Sequence, residues 1–232
     1  MAPTVIALDT ATEYCSVAIA RGDEVVEREL EAGQSHSRRL LPLLQQLLEE
    51  QRLTLRDVAA IAFGAGPGSF TGLRIACGVA QGLAYGLDLP VVPVGNLEAL
   101  AVVALRHSPQ SRRLGVALDA RMHEAYWAVY EAAEEGLREL ASPALVPVAR
   151  LAEALGAFAV DAAAGNAFGF VVAPTGVRIL PDVRASAAAV ARLGLERLAA
   201  GQALAAHLAA PLYVRDRVAQ TVDERRAARS AG

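Results

Sequence analysis

The sequence contains no lysine, and all 22 of its basic side chains are arginine. Such a bias is typical of genome composition, and it supports no functional conclusion. Cysteine is nearly as scarce. Cys15 and Cys77 fit no metal or redox spacing, so we expect both in the core as small apolar residues.

Histidine is also sparse, with four residues that show no His-x-x-x-His or His-x-x-Glu arrangement. This pattern predicts no zinc or iron site, and each histidine is expected to be a surface or capping residue. The residues are His36, His107, His123 and His207.

A concentrated positive charge is missing as well. The net charge of -3 and the pI near 5.8 argue against a protein that binds nucleic acid unaided. Apolar runs are interrupted before they reach the length of a membrane span, and the N-terminus lacks the pattern of a signal peptide. We therefore expect a soluble, cytoplasmic protein with no membrane segment.

What the sequence does contain is 54% hydrophobic residues over 232 positions, enough for one large domain or two small lobes. Hydrophobic periodicity predicts a helix that begins at an N-cap Ser35, and Asn96 is expected to cap a later helix. The strand-like runs are residues 5–8, 15–20, 58–63, 89–94, 158–160 and 177–180, and the helical runs are 35–53, 147–155 and 185–200.

The chain also repeats itself. The stretch VALDARMHEAYWAVYEAAEEGLREL from Val116 has the apolar pattern of VIALDTATEYCSVAIARGDEVVEREL from Val5, with Asp9 and Asp119 in equivalent places. The pattern indicates an internal duplication and two similar α/β lobes. We place the lobes at residues 1–105 and 106–216, followed by a tail at 217–232 that is expected to be frayed or disordered.

A glycine-rich segment, GAGPGSFTGLRIACGVAQGLAYGL, follows the strand at 58–63. Its loop glycines could let backbone N–H groups bind an anion, or could form a tight strand-to-helix connection. The spacing is not that of a Walker A loop and no lysine follows, so the second interpretation is at least as well supported. These glycines are Gly64, Gly66, Gly68 and Gly72.

Three further glycines, Gly78, Gly82 and Gly86, recur at every fourth position of the following helix. Each costs roughly 0.8–1 kcal/mol relative to alanine, so they predict a groove that another helix approaches closely. The periodicity leaves open whether that helix belongs to the same chain. The leucines of residues 40–48 form an arc that faces either a partner or the rest of this chain.

Duplicated lobes of this kind resemble the actin-like ATPase and sugar-kinase superfamily, in which Asp-containing turns address nucleotide phosphates and metal between the lobes. The turn residues that could do so here, or could merely cap the hairpins, are Asp9, Thr10, Thr12, Asp119 and Arg121. Thr10 stands where a phosphate-binding turn would prefer glycine, which argues against unaided ATP hydrolysis. Ser69 and Thr71 have no general base near them in sequence.

Five motifs, ALDTAT, QSHSRRLLPLL, GAGPGSFTGLRIA, DARMHEAYWAVY and PLYVRD, together resemble the bacterial TsaB (YeaZ) family. The resemblance implies a duplicated actin-like fold. It also implies a non-catalytic subunit of the assembly that makes N6-threonylcarbamoyladenosine at position 37 of tRNAs reading codons that start with A. In that assembly TsaD transfers the threonylcarbamoyl group from threonylcarbamoyl-AMP, and TsaE supplies ATPase activity.

The resemblance further implies that the helices around 35–48 and 71–87 pack against TsaD, or against a second copy when TsaD is absent. It implies that TsaE joins through the TsaB–TsaD dimer, and that tRNA binds only within the complex. TsaD holds a metal with a His-Met-Glu-Gly-His type motif, but the matching stretch here is Asn96 to Leu100, so no metal or cofactor is expected. The expected interface residues are His36, Leu40, Leu41, Leu44, Leu48, Leu73, Arg74, Gly78, Gly82 and Gly86.

One alternative from a different class is a free-standing actin-like ATPase or small-molecule kinase that uses Asp9 and Asp119. A metallopeptidase is disfavoured, because it would need the missing histidine pair.

Overall fold

The computed structural model describes residues 2–134, 136–171, 174–180 and 182–215. The predicted tail at 217–232 lies outside the described residues. Among those described, no helix is both long and apolar enough to cross a membrane.

The first sheet is built around β1, whose six residues are all buried because both faces of the strand are covered. The strand order is β3-β2-β1-β4-β5, with β2 and β3 antiparallel to their neighbours and β4 and β5 parallel to β1. The strands are β1 Thr4–Asp9, β2 Tyr14–Arg21, β3 Glu24–Glu31, β4 Ala60–Gly66 and β5 Val91–Gly95.

The second sheet repeats this arrangement. Its order, β10-β9-β6-β7-β8, places an antiparallel meander on one side of β6 and parallel strands on the other. The repeat of strand order and direction is what the internal duplication predicts, and β1 and β6 are its equivalent first strands. The strands are β6 Arg113–Asp119, β7 Glu124–Ala133, β8 Gly136–Pro147, β9 Ala162–Ala164 and β10 Arg178–Leu180.

Within the residues that the structure describes, five α-helices cover the two sheets. α1 and α2 pack on the outer face of the first sheet with Ile6, Leu8 and Phe63. α3 and α5 share a core with the inner faces of both sheets, and α4 packs on the far face of the second. The helices are α1 His36–Glu50, α2 Phe70–Leu87, α3 Asn96–His107, α4 Leu151–Gly156 and α5 Ala187–Ala199.

The chain returns to the first lobe after building the second sheet. α5 lies against β1, β2 and β4, and the Ala187 amide at its start donates to Ser16 Oγ over 3.1 Å. Further on, Leu204 bridges the edge strand β5 at Val91. The lobe boundary at 105/106 remains a proposal. It separates the two sheets, whereas residues 187–208 follow the second sheet in sequence but pack against the first.

Several local predictions need correction. Ser35 occupies the N-cap position of α1, but its hydroxyl donates to the Ala32 carbonyl instead of capping the helix. Asn96 is the first residue of α3, and its side chain bonds elsewhere. The strand predicted at 158–160 lies four residues later, at Ala162–Ala164, because the Ala-rich sequence gives little guidance on register.

Candidate functional site

The glycine loop, residues 64–72, is packed against the first hairpin turn of the chain. A Cβ at Gly72 would lie 1.8 Å from the Thr10 carbonyl oxygen, and a Cβ at Gly68 would lie 2.7 Å from the Ala11 carbonyl oxygen. Gly66 has φ +126°, and a Cβ there would lie 2.5 Å from the carbonyl oxygen of Leu212. The loop is glycine-rich because two other backbone segments, the turn at Thr10 and Ala11 and the chain at Leu212, approach it too closely for side chains.

Three backbone donors of this loop are engaged within the protein. The Gly66 amide donates to Asn96 Oδ1 over 2.7 Å, and the Ser69 amide donates to the Ala11 carbonyl over 2.8 Å. The Gly72 amide donates to Ser69 Oγ, which is the N-cap of α2. These three N–H groups are not free to bind a phosphate, so the geometry favours the tight connection over the anion cradle.

Asp9 lies beneath the loop, buried. Its two carboxylate oxygens accept hydrogen bonds from the Ala11 amide at 2.8 Å and from Asn96 Nδ2 at 3.0 Å. Burial raises the pKa of the Asp9 carboxyl above its ordinary value, while these two hydrogen bonds oppose the rise. The neighbouring Thr10 is also buried, and its hydroxyl donates to the Gly72 carbonyl. Neither side chain reaches the space between the lobes.

The equivalent turn of the second lobe is more open. Asp119 accepts a hydrogen bond from the Arg121 amide at 2.7 Å and forms an ion pair with the Arg121 side chain at 3.0 Å. Its own amide donates to Asn166 Oδ1. Arg121, Met122 and His123 all have positive φ, so this turn is held in a conformation that L-residues rarely adopt.

A cleft of about 760 Å³ lies between the lobes. Its walls come from the turn after β1, the start of α2, the turn after β6 and the segment around residues 212–215. Three of the predicted cleft residues, Thr12, Asp119 and Arg121, meet there. The other two, Asp9 and Thr10, are buried and do not line the cleft.

Gly78, Gly82 and Gly86 lie on the exposed face of α2. Apart from the helix's own backbone, no heavy atom of the described residues lies within 4 Å of the position that a Cβ would take at any of the three. The groove along this helix is therefore not filled by the part of the chain that the structure describes. Arg74 lies one turn before Gly78 and is exposed, with its guanidinium 3.8 Å from the centre of the Phe70 ring.

The leucine arc, by contrast, faces inward. Of the predicted leucines on α1 only Leu41 is well exposed, at 48%. Five members of the predicted interface expose little of their side chains in this chain, and three of them, Leu40, Leu44 and Leu48, belong to its core. The five are His36, Leu40, Leu44, Leu48 and Leu73. His36 also differs from the expected surface histidine, because its ring nitrogen lies 3.3 Å from the Tyr14 carbonyl.

Sequence reasoning missed the aromatic residues around the glycine groove. Tyr85 is 78% exposed and lies three residues after Gly82, a spacing that places it beside the groove. At the other end of α2, the Phe70 and Tyr213 rings lie 5.7 Å apart. The helical spacing could have revealed Tyr85, but the approach of Tyr213 depends on a contact across more than a hundred residues.

Over the described ranges, no group of three His, Cys, Asp or Glu side chains is arranged to hold a metal ion. Asn96 stands at the position where the resemblance to the TsaD motif would require an imidazole. Its amide instead joins Asp9 to the Gly66 backbone, which fixes the carboxyl ends of β1 and β4 relative to α3.

Comparison with known proteins gives consistent matches. Residues 29–211 match the family described as TsaD, tRNA N6-adenosine threonylcarbamoyltransferase. The tRNA threonylcarbamoyladenosine biosynthesis protein TsaB of Haemophilus influenzae is 49% identical over 125 residues, which are 53% of this chain and 52% of that protein. The chain thus spans about half the length of the curated relatives it matches.

Two Pseudomonas aeruginosa structures match over nearly the whole chain. One, described as an uncharacterized protein with similarity to peptidase YeaZ, is 38% identical with a TM-score of 0.85 and covers 92% of this chain and 100% of its own. The other, YeaZ, is 36% identical with a TM-score of 0.81 and covers 91% and 99%. Together with the repeated sheet topology, these matches support the duplicated actin-like fold, and the chain belongs to the TsaB (YeaZ) branch of the TsaD family.

Proposed function

We propose that this chain is a scaffold subunit that stabilises and activates a catalytic TsaD paralogue. The reaction would be the transfer of threonylcarbamoyl from threonylcarbamoyl-AMP to N6 of adenosine 37 in tRNAs reading codons that start with A. TsaE would join through the TsaB–TsaD dimer, tRNA would bind only within the complex, and the setting would be the cytoplasm. No cofactor of its own is part of the proposal.

The observation that carries this proposal is the unfilled glycine groove of α2. A helix interior with three glycines is less stable than one with alanines, by roughly 0.8–1 kcal/mol at each position. No contact among the described residues offsets this cost, because none of their heavy atoms outside the helix's own backbone lies within 4 Å of the missing Cβ positions. A partner helix at close approach would offset it. The docking face therefore consists of Leu41, Arg74, Gly78, Gly82, Tyr85 and Gly86.

The polar groups beneath the glycine loop support the same proposal, because their hydrogen bonds are made within the protein. Asp9 uses both of its oxygens within the protein, and the three loop amides described above are engaged. A free-standing ATPase or kinase would need these groups for phosphate and metal. The cleft remains the one feature that favours such an enzyme, and titration calorimetry with Mg-ATP on the isolated chain tests it. Tight binding with turnover would support the enzyme.

Gly82→Leu is the sharpest test of the docking face. The side chain would stand in open space in the monomer, so the fold is expected to persist, while it would block a helix in the groove. We expect the affinity for TsaD to fall by about 30-fold or more, as at a central interface position. Co-elution in gel filtration and titration with purified TsaD measure the loss.

The matched control is Gly156→Leu, an equally uncrowded exposed helical glycine at the end of α4 in the other lobe. It should bind TsaD as the parent does. Unchanged co-elution of Gly82→Leu would contradict docking through α2. Separately, reconstituted threonylcarbamoyl transfer to tRNA at the same rate with and without this chain would contradict the activating role itself.

If TsaD is absent, the same face is proposed to pair two copies of this chain. Sedimentation of the parent and of Gly82→Leu should then differ, with the variant shifted toward the monomer.

A further inference from the structure

The segment Pro211–Arg215, here called the strap, runs across the mouth of the cleft and contacts both lobes. On the first lobe, the Leu212 amide donates to the Ala65 carbonyl over 2.7 Å, at the end of β4. The Leu212 carbonyl oxygen occupies the space beside Gly66 that a side chain would need. This end of the strap is thus joined to the glycine loop by backbone contacts.

The middle of the strap lies on the first turn of α2. Arg74 Nε donates to the Tyr213 hydroxyl over 2.9 Å, and the Tyr213 ring packs against Phe70. The Arg74 guanidinium is stacked on the Phe70 ring, so the three side chains form one cluster.

The last residue of the strap reaches the second lobe. Arg215 Nη2 donates to the Ala120 carbonyl over 2.9 Å and to Glu124 Oε2 over 2.6 Å, while Nη1 lies 3.3 Å from Met122 Sδ. The Arg215 side chain is only 13% exposed, so this ion pair is largely shielded from water. Two of these contacts fall on the turn between β6 and β7 and the third on Glu124, the first residue of β7. The turn contains Arg121, Met122 and His123, all with positive φ.

We propose that the strap is an interlobe latch that fixes the width of the cleft, with Arg215 as its catch on the second lobe. A further connection between the lobes is the shared core around α3 and α5, which lies between the sheets. A shared apolar core permits hinge motion, whereas a strap bonded to both rims of the cleft restrains it. Release of Arg215 therefore frees the β6–β7 turn and lets the lobes move apart.

The experiment compares the full chain with three variants. Arg215→Ala removes the catch, Glu124→Gln weakens it from the opposite lobe, and Tyr213→Phe loosens the strap on the first lobe while keeping the ring. Arg150→Ala is the control, because it breaks an exposed ion pair to Glu153 away from the cleft. Glu124→Gln and Tyr213→Phe keep the test decisive if Arg215→Ala does not fold.

Two readouts are needed. Amide hydrogen exchange should accelerate at least about tenfold at Ala120 and Glu124, whose amides bond within the turn. Spin labels on Ser37→Cys and Ser142→Cys, exposed positions on the two lobes, should show a broader distance distribution in the variants than in the parent and the control.

Each result decides the proposal. Faster exchange together with a broader distance distribution supports the latch. Faster exchange in the turn with an unchanged distribution overturns it, because Arg215 would then support only its local turn. Unchanged exchange and distance in the folded variants overturn it as well.

Discussion

The loop glycines and the later glycines of α2, which are separated by a few residues, differ in what surrounds them. The first are Gly66, Gly68 and Gly72, and the second are Gly78, Gly82 and Gly86. The loop glycines are surrounded by backbone, with Thr10, Ala11 and Leu212 at distances that exclude a side chain. At Gly78, Gly82 and Gly86 of α2, a Cβ would meet no described atom within 4 Å apart from the helix's own backbone. The first set is required by the fold of the monomer, whereas the second set costs stability that no contact among the described residues offsets. The difference shows how one glycine-rich segment can serve both folding and association.

The largest expected effect tests the loop side of this comparison. Gly72→Ala would place a methyl group 1.8 Å from the Thr10 carbonyl oxygen, a contact that only backbone movement can relieve. We expect a loss of more than about 3 kcal/mol in the free energy of unfolding, at the severe end of overpacking. Urea denaturation of purified protein measures the loss. A change below 1 kcal/mol would show that the loop shifts easily and would weaken the comparison.

An intermediate effect concerns the carboxylate beneath the loop. Because the pKa of Asp9 is higher in the folded chain than in the unfolded chain, the folded chain binds the proton more tightly. Protonation of Asp9 therefore stabilises the folded chain at low pH. This stabilisation is lost as the pH rises through the pKa of Asp9 in the folded chain. Asp9→Asn does not titrate. We expect the unfolding free energy of the parent, minus that of Asp9→Asn, to be largest in acid and to decrease as the pH rises from about 4.

Denaturant unfolding across this pH range checks the sign. Asp119→Asn is the matched variant, since its carboxyl accepts the equivalent turn hydrogen bond at the open cleft. A difference for Asp9→Asn that increases with pH would contradict the prediction.

The smallest effect tests the helix side. Gly78→Ala adds a methyl group where there is open space and removes the flexibility of glycine from a helix interior. The monomer should become more stable by about 0.8 kcal/mol, seen as a small upward shift of the denaturation midpoint. Destabilisation instead would mean that the groove is not free in the monomer, and the contrast between the two sets of glycines would fail.

Much of the first lobe could be predicted from sequence, because its elements have strong periodicity. The uninterrupted apolar run of β1 and the repeated Asp9 and Asp119 turns were enough to indicate the duplication. The second lobe was harder, since alanine has a high helix propensity and is depleted in strands, yet Ala162–Ala164 forms a strand, and the long strand β8 is polar at many positions. Local pattern carries little information there.

The candidate site was predictable in outline only. The four-residue spacing of glycines identified the groove on α2. The spacing of the leucines on α1 could not show which of them would be buried, because α1 packs against β2 as well as α2. The bond from Asn96 to Asp9 joins residues 87 positions apart, and no local signal distinguishes it from a helix cap. Contacts of this range depend on the assembled fold.

The return of α5 to the first sheet has a consequence for synthesis on the ribosome. N-terminal units usually fold as soon as they emerge. Here the inner face of the first sheet, complete in sequence by Gly95, lacks its covering helix until Ala199 has been made. Val5, Ala7 and Ala62 would lack the packing of α5 during that interval, so apolar surface of the nascent lobe would stay open to water.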